Sequence, residues 1–126
     1  MSGREAGEGR LIIEMGMGNS LHGRDYTKAA LRAVEDAMRH SSLAILGALD
    51  IPRDQIRVRV SIGVQEPQDV NIKAITDRLG RAAEVVVEPG GLDVTDDVTG
   101  EVHVVAAAAV EVFLPGQTGW KLRDDV

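Results

Sequence analysis

Arg57-Val58-Arg59-Val60-Ser61-Ile62-Gly63-Val64 is the stretch on which the fold turns. Together with Ile56 and Gln65 it alternates apolar and polar residues over ten positions, and successive side chains of a strand point to opposite faces. Val58, Val60, Ile62 and Val64 therefore line a face that has to be covered, while Arg57, Arg59 and Ser61 line one that does not.

The cover is found on both sides of this strand. Upstream, Tyr26 to Leu49 repeats Ala30, Val34, Ala37, Ser41 and Ile45 at spacings of three and four, which predicts a long helix with an Ala-rich stripe. Asp25 is placed to cap its start, and Gly47 with Asp50-Ile51-Pro52 marks its end. The apolar run Arg10 to Met15 before it predicts a first strand. Downstream, the turn Glu66-Pro67-Gln68-Asp69 leads to a second helix, Val70 to Leu79, with Ile72, Ile75 and Leu79 on one side and Gly80 as its stop. Ala83 to Glu88 is a strand broken by Pro89-Gly90-Gly91, and Val102 to Leu114 is a long last strand after an acidic hairpin turn, Asp93 to Gly100.

The order β-α-β-α-β-β predicts an α+β single-domain sandwich over residues 10–115, with the helices packed on one face of a mixed sheet. Residues 1–9 are expected to be a disordered lead-in and 116–126 a tail. On the far face, Arg57, Arg59 and Ser61 should be joined by His103 and Glu111 of the last strand and by Glu14 of the first. So many charges of both signs suggest a subunit interface or the wall of a polar cleft.

Composition narrows the function classes. The 126 residues carry 20 acidic and 14 basic side chains, a net charge of -6, with no basic run, so neither nucleic acid nor an anionic membrane is the expected partner. The absence of cysteine removes thiolate chemistry and fits a cytoplasmic protein. Tyr26, Phe113 and Trp120 are the only aromatics, so the core must be aliphatic and light, which favours support from a homo-oligomer.

Chemistry concentrates in Gly16-Met17-Gly18-Asn19-Ser20-Leu21-His22-Gly23-Arg24-Asp25, read as a glycine-rich loop between strand and helix. It is not a P-loop, because Arg24 and Asp25 stand where lysine and a magnesium-binding hydroxyl are needed. Nor is it a dinucleotide fingerprint, since Leu21 fills the third glycine position. His22 is the candidate base or ligand contact, whereas His40 reads as a favourable charge near a helix end. No usual metal-ligand set is legible, and no cofactor or metal is expected; the acidic residues Asp93, Asp96, Asp97 and Glu101 lack calcium-loop spacing. Ser61 and Ser20 are candidate nucleophiles with Lys28 or Lys73 as activating base. Gly18, Asn19, Gly23, Arg57 and Arg59 are candidate ligand-binding residues.

Gly16-Met17-Gly18-Asn19-Ser20-Leu21-His22-Gly23, followed by Asp25 to Ala30, Pro89-Gly90-Gly91-Leu92 and the Ala-rich last strand, resembles a family of conserved hypothetical proteins marked by Gly-x-Gly-x-Asp-x-His-Gly. Ser20 stands in place of that aspartate, so an acid or metal role does not carry over to it, as in a paralogue that assembles with itself or with a sister chain. Gly18-Asn19 and Arg24-Asp25-Tyr26-Thr27-Lys28 are also similar to a stretch of the ring-opening amidohydrolases, the cyanuric acid hydrolase and barbiturase group, with Ser61 to Glu66 in place of their serine segment. That second resemblance implies hydrolysis of a cyclic or small amide by a Ser-Lys site: Ser61 or Ser20 attacking, Lys28 activating, Arg57 or Arg59 holding the oxyanion. The alternative function is a non-catalytic small-molecule-binding or structural subunit.

Overall fold

In the computed structural model, which describes residues 9–39, 53–80 and 83–114, the alternating stretch is strand β2, Arg57–Val64, at the heart of a five-stranded mixed sheet. The other elements are β1 (Gly9–Ser20), α1 (Tyr26–Met38), α2 (Ile72–Leu79), β3 (Glu84–Pro89), β4 (Leu92–Thr95) and β5 (Val102–Leu114). The strand order is β1-β5-β2-β3, and β4 pairs with β5. β5 runs antiparallel to β1, β2 and β4, and only β2 and β3 are parallel. The α+β single domain with helices on one face is thus the observed fold. His40 and the continuation of the first helix toward Leu49 lie outside the described residues, as do residues 1–8 of the lead-in and the tail.

Both helices begin where a side chain can accept the first free N–H groups. Asp25 accepts from the Lys28 amide at 3.0 Å, as its position before the apolar stripe implies. Asn71 accepts from Ala74 at 3.2 Å, so α2 starts two residues later than expected. Gly80 ends α2 at φ 67°, a left-handed conformation that glycine adopts without steric cost.

The core lies between α1 and the sheet. Ala29, Ala30, Ala33, Val34 and Ala37 meet Val60, Ile62, Val64, Val104, Ala106 and Val110, all buried. Small side chains bring the helix backbone close to the strands, and Gly16 and Gly18 bring it closer still. A Cβ on Gly16 would strike the Ala33 carbonyl and the Ala37 amide, and one on Gly18 would strike Ala29 and Ala33. This corrects the loop reading. The two glycines are buried in β1 because α1 lies directly on them; their backbones have no positive φ, and the strand runs on through Ser20. The connecting loop is only residues 21–25, with Gly23 at φ 77° and Arg24 at φ 49°.

α1 also closes the outer edge of β1. The Met17 amide donates to Asp36 Oδ2 at 3.0 Å, and Arg32 Nη1 donates to the Asn19 carbonyl at 2.8 Å. An edge strand with these groups satisfied cannot recruit another strand at that point.

Pro89-Gly90-Gly91 is a crossing rather than a simple break. β2 leaves the sheet after Val64, and β4 takes over its place beside β5: Gly63 pairs with Ala107, and Leu92 with Val105. Between them Gly90 donates to the Val64 carbonyl at 2.9 Å and passes Gly63 so closely that a Cβ on either would lie 3.1–3.3 Å from the other's Cα. The acidic segment resolves into β4 and a tight hairpin, in which the Asp96 carboxylate accepts from the Val98 and Thr99 amides at 2.8 and 2.9 Å. Those two bonds hold the Asp96 carboxyl below its ordinary range.

Candidate functional site

Odd-numbered residues of β1, β2 and β5, and even-numbered residues of β3 and β4, form the face that the described helices leave uncovered. Its two ends and its middle differ. At one end Arg59 binds Glu111 through both Nε and Nη2, at 3.0 and 2.9 Å, and Arg57 meets Glu84 at 3.2 Å. Both guanidinium groups stack on Phe113, 4.4 and 5.3 Å from its ring centre, and bury it to 2% exposure outside the main core. The expected mixture of charges is present here, with His103 and Glu111 on this face as alternation implies. Glu14 is not; it alternates with Gly16 and Gly18 and so falls on the helix side.

At the other end, the His103 ring nitrogen Nδ1 lies 2.9 Å from the Leu21 carbonyl and His22 Nδ1 lies 3.1 Å from Glu101 Oε1. These contacts tie the residue 21–25 loop to the start of β5. His22 has 79% of its side chain exposed, so this contact is screened by solvent.

The middle is apolar and low. Ala107, Ala109 and Gly63 lack the side chains to rise from the sheet, whereas Met15 and Met17 stand beside them at 67% and 65% exposure. The result is a trough of about 700 Å³, with Ser61 on its floor and Glu88 and Gly90 at its rim. Ser61 makes no side-chain hydrogen bond among the described residues, so its hydroxyl is open to a ligand.

The residues proposed from sequence separate into four places. Ser61 lies in the trough. Lys28 lies on α1, across the sheet from it, so the two are not brought together as nucleophile and base. Lys73 is on α2, on that same far side, paired with Asp77 at 2.8 Å. Ser20 is 1% exposed and donates to the His22 carbonyl at 3.1 Å, which makes it a turn brace. Gly18 is sealed under α1, Asn19 and Gly23 are exposed, and Arg57 and Arg59 hold carboxylates and the Phe113 ring. Among the described residues no group of three acidic or histidine side chains is arranged to hold a metal, and no helix is long and apolar enough to cross a membrane.

Sequence reasoning missed Met15, Met17, Gly63, Ala107 and Ala109. The signal was present: alternation places all five on the face opposite the helices, where exposed methionines and consecutive small residues are otherwise unexplained.

Tyr26, at the start of α1, is buried and donates to Asp93 Oδ2 at 2.5 Å, which pins β4 to the helix. Burial first, and then the adjacent carboxylate, push its phenol up to about 12.

A search of curated proteins returns no match. Among solved structures, the chain is similar to an FtsZ-like protein of unknown function from Nostoc punctiforme, with 30% identity and a TM-score of 0.71 over 86% of this chain and 97% of that one. The family model for the conserved hypothetical protein Lin0512_fam matches residues 10–112, which run from β1 into β5 and take in the whole trough, and the chain belongs to that family.

Proposed function

We propose that this protein is a non-catalytic small-molecule-binding subunit whose ligand lies in the trough of the open sheet face. The observation that carries the reading is the trough itself: a volume of about 700 Å³ over Gly63, Ala107 and Ala109, walled by flexible methionines and offering the Ser61 hydroxyl, which has no hydrogen-bond partner among the described residues. Ligand sites are of this kind, mostly apolar with few polar groups and ~300–1,000 Å³ in volume. Methionine adapts its shape to what it contacts. The lining carries two carboxylates, Asp36 and Glu88, and no cation, so an anion does not suit it; Asp36 already accepts from the Met17 amide, and a neutral, largely apolar ligand with a group that can hydrogen-bond to Ser61 fits what remains.

Binding is favoured over hydrolysis because Ser61 has no base within hydrogen-bonding reach among the described residues, and a serine hydroxyl needs one to attack. Titration with the neutral planar dye Nile red tests the reading. The parent should bind with a single saturable isotherm, Ala109→Phe should weaken binding at least tenfold by filling the floor, and Val98→Phe, on the exposed hairpin, should leave it unchanged. Equal binding by the parent and Ala109→Phe would exclude the trough.

A further inference from the structure

We infer that the trough is half of a chamber, and that a second copy of this chain closes it, face to face, about a two-fold axis parallel to the strands. This rests on the trough being the ligand site but concerns a different property, its completion by another subunit. The open face has a ridge on each side of its floor. Met15 and Met17 form one on β1; Leu92, at 61% exposure, and Val86 form the other on β4 and β3. Turning one sheet over a second about such an axis sets the methionine ridge of each copy on the Leu92–Val86 ridge of the other. The low floor is touched by neither, and it becomes the enclosed space.

Three observations support a second copy as the occupant. First, Ile13, Met15, Met17, Val86, Leu92 and Val94 are all exposed on this face. Together they leave on the order of 600 Å² of apolar surface open, the upper end of what a monomer's largest patch shows and most of the ~800 Å² per partner that a stable interface covers. Second, Met15 and Met17 on one side and Leu92 and Val86 on the other are exposed and apolar, so turning the face over sets apolar side chains on apolar side chains, as a two-fold interface requires. Third, the charges at the Phe113 end are paired within one copy, Arg57 with Glu84 and Arg59 with Glu111, so covering that end strands neither arginine. Glu88 lies on the same face at the rim of the trough, level with Met17, so the closure requires its carboxylate to turn outward to solvent when the ridges meet.

The chain contains no cysteine, which makes cross-linking unambiguous. The parent should sediment at twice the 13.5 kDa chain mass at tens of micromolar, and Met17→Glu should shift it to the monomer mass with its circular dichroism unchanged. Met15 and Val86 lie at the same level of the sheet, so Met15→Cys/Val86→Cys should be joined into a covalent dimer by a short bismaleimide able to span sheets packed ~10 Å apart, and neither single variant should. Within one copy the two positions are three strands apart, roughly 14 Å, beyond the reach of that reagent. A monomeric parent, a dimer that survives Met17→Glu, or single variants that cross-link as readily as the double would overturn the inference. A monomeric parent that still bound Nile red in the trough would sink only the closure and leave the ligand reading standing.

Discussion

β5 presents alanines to both sides of the sheet, and the two sets meet different fates. Ala106 and Ala108 face α1 and are buried; Ala107 and Ala109 face the other way and floor an open trough. The difference lies in what comes down on them. Opposite Ala106 and Ala108 in β1 are Gly18 and Gly16, so the strand pair is thin enough there for a helix to rest on its backbone. Opposite Ala107 and Ala109 are Met17 and Met15, whose side chains rise beside the alanines and keep any rigid element off them. A small residue closes a contact when its neighbour is also small, and opens a cavity when its neighbour is large.

The sharpest way to break this comparison is to add the same bulk on each side. Gly18→Val drives a branched side chain into the α1 backbone and should cost ~3 kcal/mol or more in urea unfolding, an overpacking penalty at the high end. Ala107→Val, one step along on the opposite face, should change stability by less than ~0.5 kcal/mol, as at other open positions. Equal losses would mean that the open face is as tightly packed as the covered one.

Glu111→Leu is expected to cost about 1–3 kcal/mol, because it leaves the Arg59 guanidinium half-buried without its twofold acceptor. Arg59→Met added to Glu111→Leu should recover part of that loss; a double variant less stable than either single one would show that the pair contributes more than the removal of a stranded charge.

On the helix side, the single tyrosine gives a smaller effect that can be read directly. Absorbance at 295 nm should show Tyr26 ionising near pH 12 in the folded protein, above the ordinary ~10. Since the folded state holds this proton more tightly than the unfolded one, the stabilisation is complete below about pH 10 and disappears as pH rises through 12. Tyr26→Phe should remove that pH dependence and cost about 1 kcal/mol at neutral pH. An ionisation midpoint near 10 would show that the phenol is not held by Asp93.

The smallest effect belongs to the hairpin. The Asp96 carboxyl is held low by two amides, so its contribution is present above about pH 4 and fades as pH falls through its folded value. Asp96→Ala should lower the melting temperature slightly at pH 7, and by progressively less as the pH falls.

The two faces were not equally legible in the sequence. Period-two alternation from Ile56 to Gln65 and the Asp25-capped stripe of α1 are local patterns, and both elements formed where local preference placed them. Gly16 and Gly18 were misread because a glycine leaves the same trace in a sequence whether it supplies a positive φ or makes room for a helix. Only the position of α1, set by contacts far apart in the chain, distinguishes the two. The same holds for Gly90 and Gly91, whose break is a crossing over Gly63. The candidate site suffered most. Ser61 was placed on the right face by alternation, but its supposed base, Lys28, belongs to an element whose side of the sheet follows from that same alternation, and the pair was never compatible within one chain. The trough went unnoticed because it is made by what alanine and glycine lack, and motif reasoning attends to groups that are present.

The pairing of β5 carries a consequence for how the protein is made. Three of the other four strands hydrogen-bond to β5, and the one pairing without it, β2 with β3, joins neighbours bridged by α2. Since β5 is also the last of the described strands in the chain, a growing polypeptide can complete only that small parallel unit before β5 emerges. β1 and α1 must wait, their alanine stripe open, for a segment that begins 82 residues after the end of β1 and 64 after the end of α1. Sequence-distant pairing of this kind slows folding and prolongs exposure to aggregation. Versions shortened within β5 should therefore be recovered as insoluble or degraded material rather than as smaller stable domains.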